Sequence, residues 1–382
     1  MRVAFHAPLK PPDHPVPSGD RTVARLVLAA LQHAGHRVEL ASRLRTYDSG
    51  SATRQARLAA LGERMAARLL RRYGRMHAAA RPEIWLTYHL HHKAPDYLGP
   101  PIARGLGVPY VAIEASIAAK QARGPWAVGH EAARAAILAA ARIITLNPAD
   151  RTGLLTVVRD PARLVDMRPF LDPSPFRAAH VARAGHREAL AHKYALDSDA
   201  PWIAVAAMMR HGDKLASYRA LSRALEAVLD RPWYLLIAGD GEALLEVRDA
   251  FVSLGPERTR FLGRIGADDM PGFLAACDLF AWPAWREAYG MALLEAQAAG
   301  LPVVAGDEGG VSAIIADGAT GTLVPPRDDG AFARAIREML DDRARRSAMG
   351  QAALARVAAL HGLAAGARTL DAILQEALQS PL

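Results

Sequence analysis

Trp285–Pro302 reads WREAYGMALLEAQAAGLP, and an apolar strand, Val303–Ala305, follows it. The stretch parses as loop, helix, stop, strand. Glu287 lies on the loop, helical spacing begins near Gly290, and Gly300 with Pro302 ends the helix. A glycine at that entry lets the backbone come close to a ligand, and the first N–H groups of a helix attract anions. The free N–H groups are expected at Gly290, Met291 and Ala292. Glu295 stands eight positions after Glu287, between Leu294 and Ala296, so a wholly exposed position does not suit it. A carboxylate accepts two hydroxyl protons at once, which fits Glu287 to a sugar and Glu295 to a ribose diol. The plainer alternative is that Glu287 complements the helix dipole and Glu295 is a solvated helix residue.

The same strand and helix alternation extends in both directions. Toward the C-terminus, Thr322–Val324 is a last strand before a helical tail. Toward the N-terminus come strands at Leu279–Trp282, Arg260–Leu262, Trp233–Ala238 and Trp202–Ala207, with helices at Met270–Ala276 and Lys214–Leu229. Residues 168–201 carry Pro169, Pro173, Pro175 and Pro201 without a strand pattern and read as a domain crossing. Before it, strands at Val3–Phe5, Val38–Ala41, Ile84–Tyr88, Tyr110–Ile113 and Arg142–Leu146 alternate with helical stretches, the first at Thr22–His33. Such alternation means parallel sheets covered on both faces. The expected fold is α/β, with two doubly wound, Rossmann-like domains facing across a cleft and ligands at the carboxyl ends of the strands. The domains are placed at 1–170 and 171–361, with a C-terminal helix over 362–382 returning to the first.

Composition agrees with two cores: 382 residues, about half apolar, at ~100–200 residues per domain. No apolar run approaches the ~20 residues that span a bilayer, and residues 1–8 read as a strand rather than a signal peptide. The single cysteine, Cys277, precludes an internal disulfide, fits a reducing compartment and reads as a small core residue. A net charge of +8 favours an anionic partner, although arginine supplies nearly all of it and lysine occurs only five times. The basic residues are dispersed without interleaved aromatics, which argues against nucleic acid.

Other groups stand out against that background. Arg210 and Lys214 follow the first strand of the second half, a good placement for holding a diphosphate. The alternative is that Asp213 caps the next helix and Lys214 decorates its first turn. In YHLHHK, residues 88–93, the histidines are read as a solvated loop, with an acceptor-binding role for His89 or His91 as the competing reading. No fourth ligand at metal spacing accompanies them. Between Arg54 and Met76 a long helix lines up Arg57, Arg64, Arg68, Arg71 and Arg75 beside an apolar face that includes Leu61, Met65 and Leu69. This row is read as a solvated surface. The competing reading is a peripheral docking face for an anionic membrane.

The chain resembles the family 4 glycosyltransferases, retaining enzymes with the GT-B fold. Glu287 and Glu295 have the family's Glu-x7-Glu spacing, and LEAQAAGLPVVAGDEGG continues in register. FLGRIGADDMPGFLAACDLFAWPAWRE before the motif and GATGTLVPPRD (318–328) after it are similar to the family's flanks. LIAGDGE at 236–242 is similar to its glycine turn, and PFLDPSPF at 169–176 loosely to its linker. The resemblance covers most of 165–340 and fades toward the N-terminus.

The resemblance implies an enzyme that moves a sugar from a nucleotide-diphosphate sugar to an acceptor in glycan, glycolipid or surface polysaccharide synthesis. No cofactor and no metal is expected, and the location is cytoplasmic or peripheral at the inner membrane face. It implies that Glu287 binds donor hydroxyls, Glu295 the ribose, and Arg210 and Lys214 the diphosphate. Ala288, Tyr289, Gly290, Met291 and Ala292 form the donor loop, Gly263 and Ile265 meet the base, and Gly19 approaches the phosphates from the first loop. Where the family often has a histidine after the strand ending near Ile113, this chain has Glu114, which joins His89 and His91 as an acceptor-side candidate. The competing functions are epimerisation or hydrolysis of the donor, or nucleotide-sugar binding without catalysis.

Overall fold

The computed structural model describes residues 1–16, 18–287 and 290–379. They form two units, Met1–Arg168 together with the stretch from Leu363, and Pro169–Gly362. The sequence places these divisions after 170 and after 361.

The first unit holds six parallel strands: β1 (Arg2–His6), β2 (Arg37–Ser42), β3 (Ile84–Leu90), β4 (Tyr110–Ala115), β5 (Arg142–Thr145) and β6 (Leu164–Asp166). Their spatial order is β2-β1-β3-β4-β5-β6. Its helices are α1 (Gly19–His33), α2 (Ala52–Gly74), α3 (Gly99–Leu106), α4 (Ala127–Ala139) and α5 (Pro148–Leu155). The central strands are buried along almost their whole length, as a sheet covered on both faces demands.

The second unit repeats the plan with α6 (Ser174–Val181), α7 (Arg183–Tyr194), β7 (Trp202–Ala206), α8 (Asp213–Glu226), β8 (Tyr234–Ala238), α9 (Leu244–Ala250), β9 (Thr259–Gly263), α10 (Met270–Ala276), β10 (Leu279–Trp282), α11 (Met291–Ala298), β11 (Val303–Gly306), α12 (Val311–Ile314), β12 (Gly321–Val324), α13 (Asp329–Asp341) and α14 (Arg343–Arg356). Its parallel strands run β12-β11-β10-β7-β8-β9. The last helix, α15 (Leu363–Gln379), belongs to the first unit. It is tied there by Asp371 to His36 at 3.3 Å and by Glu376 to Arg142 at 3.6 Å.

Two expectations need correction. The proline-rich crossing at 168–201 contains helices α6 and α7. They escape a pattern reading because α7 is polar on most of its surface and is held by arginines as well as by Leu190, Ala191 and Tyr194 against the core. Arg183 and Arg187 both reach Asp278, at 2.7 and 2.9 Å, and Asp278 also accepts from the Trp202 N–H. The first helix starts at Gly19 rather than Thr22, because Ser18 caps it by accepting from the Arg21 N–H.

Each sheet has one point where the strand order reverses. In the first unit it lies between β1 and β3; in the second it lies between β7 and β10. Chains leaving neighbouring strands there turn to opposite faces and open a crevice beyond their carboxyl ends. The loops that matter leave these four strands.

Candidate functional site

The second unit's switch point brings Lys214 and Glu287 together. The loop after β7 is clamped at Met209: its N–H donates to the Asp240 carbonyl, and the Ala243 N–H donates to its carbonyl. The glycine turn allows this closeness, since a Cβ on Gly241 would stand 2.2 Å from the Met209 carbonyl oxygen. Arg210 leaves this loop exposed, and α8 then begins at Asp213. Asp213 is the first helical residue and makes no side-chain cap; Gly212 occupies the cap position. Lys214, one residue on, turns its ammonium to the Glu287 carboxylate at 2.5 Å.

Glu287 arrives from the loop after β10. Ala284 and Arg286 there adopt left-handed backbone, at φ 59° and 46°, which costs a residue with a side chain of order 1 kcal/mol or more. The loop is fastened by the Trp285 N–H, which donates to Ser217 Oγ on α8 at 3.1 Å. Trp282, the last residue of β10, donates its indole N–H to Glu287 Oε2 at 3.1 Å, and its ring lies 5.3 Å from the Lys214 ammonium. Reading the sequence missed Trp282, whose place in a buried strand gives no sign that its polar edge is used.

Gly290, at φ 73°, is the N-cap of α11 and carries no side-chain cap. A Cβ would add a 2.7 Å clash with Leu293 to the unfavourable φ. The N–H groups of Met291 and Ala292 have no acceptor among the described residues. α11 is anchored further along by Gln297, whose amide donates to Thr320 Oγ1 at 2.8 Å. Glu295 lies one turn in, and burial pushes its carboxyl up to about 7. Gly263 ends β9 at φ 68° with open space where a Cβ would stand, and Ile265 is half-buried beside it. Ala288 and Tyr289 lie outside the described residues.

The first unit's switch point carries a second pair. His89 Nδ1 stands 3.0 Å from Asp20 Oδ1, linking the end of β3 to the first turn of α1. Asp20 follows Gly19, now the first residue of the helix, where a Cβ would meet nothing within 4 Å. The imidazole beside it lowers the Asp20 carboxyl despite partial burial. YHLHHK is therefore no solvated loop. β3 runs on through Leu90, and the rings of His89, His91 and His92 stand 5.0 and 5.5 Å apart in succession. Burial works against charging His89, but Asp20, Glu114 and Asp150 outweigh it and its pKa is raised. Burial and the neighbouring His89, His92 and Lys93 push His91 down to about 3. Glu114, one residue before the end of β4, lies level with His89, and both have left-handed backbone, at φ 56° and 60°. Asp150, unnoticed in the sequence, is pushed up to about 6 by burial and by Glu114.

The arginine row lies along α2. Arg57, Arg64, Arg68, Arg71 and Arg75 are all exposed, whereas Arg54 and Arg72 are paired with Asp48 and Glu39. Cys277 is buried and its thiol is pushed far up by that burial. Among the described residues no helix is long and apolar enough to cross a membrane.

Residues 206–356, all within the second unit, match the model of a family described as glycosyl transferases group 1. Over 141 residues the chain is 36% identical to the D-inositol 3-phosphate glycosyltransferase of Corynebacterium aurimucosum, covering 36% of this chain and 34% of that one. The match thus spans about a third of that relative's length. The alpha-D-kanosaminyltransferase of Streptomyces kanamyceticus is 28% identical over 251 residues, 64% of this chain and 63% of that one. Among solved structures, a glycosyltransferase of Rickettsia africae superposes with a TM-score of 0.76 at 16% identity, covering 99% of both chains. HepE of Anabaena, solved in complex with UDP, gives 0.72 at 16% identity over 98% of this chain and 100% of its own.

Proposed function

Since the chain has the GT-B fold and its residues 206–356 match the glycosyl transferases group 1 model, we propose that it is a family 4-type glycosyltransferase that transfers a sugar, with retention, from a nucleotide-diphosphate sugar to a hydroxyl acceptor. The observation that carries this reading is the Lys214–Glu287–Trp282 cluster at the β7/β10 switch point, beside an uncapped helix start. The donor's diphosphate takes Lys214, Arg210 and the N–H groups of Met291 and Ala292. Fixed cations and a helix end stabilise the charge that develops as the C–O bond to the leaving diphosphate breaks, without a metal. Glu287 then exchanges its bond to Lys214 for the hydroxyls of the sugar. Glu295 accepts from the ribose diol, and the backbone from Gly263 to Ile265 meets the base. In the first unit His89, flanked by Asp20 and Glu114, orients the attacking hydroxyl, and His91 stays neutral beside it.

The test is product analysis over a panel of nucleotide sugars with acceptors of several classes. One donor is expected to raise the melting temperature and to give a glycoside with the donor's anomeric configuration. Free monosaccharide or an epimerised donor in place of a glycoside would make the protein a hydrolase or an epimerase. Tight donor binding with no turnover on any acceptor would make it a binding protein.

The α2 row carries a further expectation about location. Like charges three and four residues apart each cost a helix about 0.2–0.5 kcal/mol. Arg64, Arg68, Arg71 and Arg75 follow that spacing and are exposed. We place this face against an anionic bilayer at the inner side of the membrane. Vesicles containing phosphatidylglycerol should retain the protein at low salt and release it at high salt. Replacing those four arginines by glutamine should abolish retention. Equal retention of parent and variant would leave the row as solvated surface.

A further inference from the structure

The histidine run ends in a group of donors that nothing described so far employs. After β3 the chain makes a tight turn from His91 to Ala94, closed by the Ala94 N–H on the His91 carbonyl at 2.9 Å. This turn is seated directly on the start of α4. A Cβ on Gly129 would stand 2.1 Å from the His92 carbonyl oxygen, so only glycine permits the contact. Trp126 is the N-cap of α4 and His130 lies in its first turn. A short helical turn after β4, Ala119–Ala122, brings in Lys120. Three segments at the carboxyl ends of β3 and β4 therefore meet around His92.

Their polar groups share one property. His92 Nε2, His130 Nε2 and Trp126 Nε1 are buried and lack any hydrogen-bond partner among the described residues. His130 is only 7% exposed. The Lys93 ammonium lies 5.1 Å from the Trp126 ring centre, and that ring meets His92 edge-on at 5.6 Å. An indole N–H and an ammonium can only donate, and an imidazole can donate from one nitrogen. A ligand that satisfies all of them must accept. Beyond burial, the charges acting on His92 are Lys93, His130 and Lys120, all of which push its pKa down. Nearby carboxylates are engaged elsewhere. Glu131 is held by two bonds from Arg134. Asp48 accepts on Oδ1 from the N–H groups of Gly50 and Ser51 and from the Gln55 amide, while its buried Oδ2 has only the Arg54 guanidinium, at 3.7 Å. Two of the chain's five lysines sit at this one place.

We infer that His92, Lys93, Lys120, Trp126 and His130 form a binding site for an oxyanion, phosphate or carboxylate, carried by the acceptor. The inference rests on the glycosyltransferase reading and names its acceptor class: a hydroxylated molecule with an anionic group. The ring sequence His89, His91, His92, Trp126 connects the two ends of that acceptor. The hydroxyl lies at His89 between carboxylates, and the anion lies at the donor group two rings away.

The test uses the full chain labelled with nitrogen-15 and reads the Trp126 indole N–H signal, assigned with Trp126→Phe. Inorganic phosphate, glucose 6-phosphate, glucuronate and neutral glucose are titrated separately. The Trp126 signal should move with phosphate and with at least one anionic sugar, and the tighter of the two sugars identifies the group. Lys93→Ala combined with Lys120→Ala should weaken that response at least tenfold and leave the other indole signals in place. The inference is overturned by a Trp126 signal that no anion moves at tens of millimolar. It is equally overturned by an unchanged response in the double variant, or by one that neutral glucose reproduces. Failure of the donor reading shows separately, as a Trp282 indole signal that no nucleotide sugar perturbs.

Discussion

Glu287→Ala is expected to lower kcat for sugar transfer by about 10²–10³-fold while the protein remains folded. Its carboxylate is the meeting point of the Lys214 ammonium and the Trp282 indole, and its side chain is only 15% exposed. Removing it takes away the group that orders both partners and the acceptor for the sugar's hydroxyls. Lys214→Ala should cost kcat a similar factor, because in the proposed reaction it removes charge stabilisation at the leaving diphosphate, and it leaves Glu287 without its counter-charge. The two changes touch one unit, so the double variant should be little worse than the poorer single one. Steady-state kinetics on the three variants, with melting curves to confirm folding, decide the matter. Turnover within tenfold of the parent in Glu287→Ala would remove that residue from the mechanism.

The second large effect concerns Glu295 and pH. Burial raises its carboxyl from an ordinary 4.5 to about 7 in the folded chain. The folded state therefore binds this proton more tightly than the unfolded state does. The stability it contributes is present at low pH and is lost as pH rises from about 4.5 through 7. Proposed ribose binding runs the other way, because only an ionised carboxylate can accept from both ribose hydroxyls. Nucleoside diphosphate affinity should rise about tenfold from pH 6 to pH 8, following the fraction in the competent form. Calorimetry in buffers of different ionisation enthalpy should detect a proton released on binding near pH 6.5. Glu295→Gln should weaken binding at pH 8 by about 10–100-fold, the worth of one or two charge-assisted hydrogen bonds, and should flatten the pH dependence. The nucleotide's own phosphate titrates in this range, so the difference in slope between parent and variant is the deciding quantity. Equal slopes would take Glu295 away from the ribose.

Much of the scaffold was legible because it is written locally. The strands of the central sheets are short apolar runs bounded by glycine or proline, and β10 and α10 occupy the residues that their patterns indicate. What escaped has a physical reason in each case. β6 is three residues long, too short for a period to show. α7 is fixed by arginines bonding to carbonyls and to Asp278 across the fold, and α6 by Phe176 in the core and His180 on the Ala299 carbonyl; such long-range contacts leave no periodic trace. The histidines after β3 looked like a polar loop, and only the edge-on contacts of their rings beside α4 half-bury them.

By itself the sequence determined the alternation that makes two parallel sheets, the helix start at Gly290 and the Glu287–Glu295 spacing. These follow from short-range sterics and apolar periodicity, which act over a few residues. Tertiary structure alone decided which charges meet. Lys214 reaches Glu287 across 73 positions of chain because β7 and β10 are neighbours at a reversal of strand order. Asp20 reaches His89 for the same reason, at the reversal between β1 and β3. Nothing in the residues around Asp20 announces a partner, and in the fold it pairs with an imidazole 69 positions away. Strand order is set by the packing of whole sheets, so no local pattern carries it. The charge pairing at both switch points depends on that order.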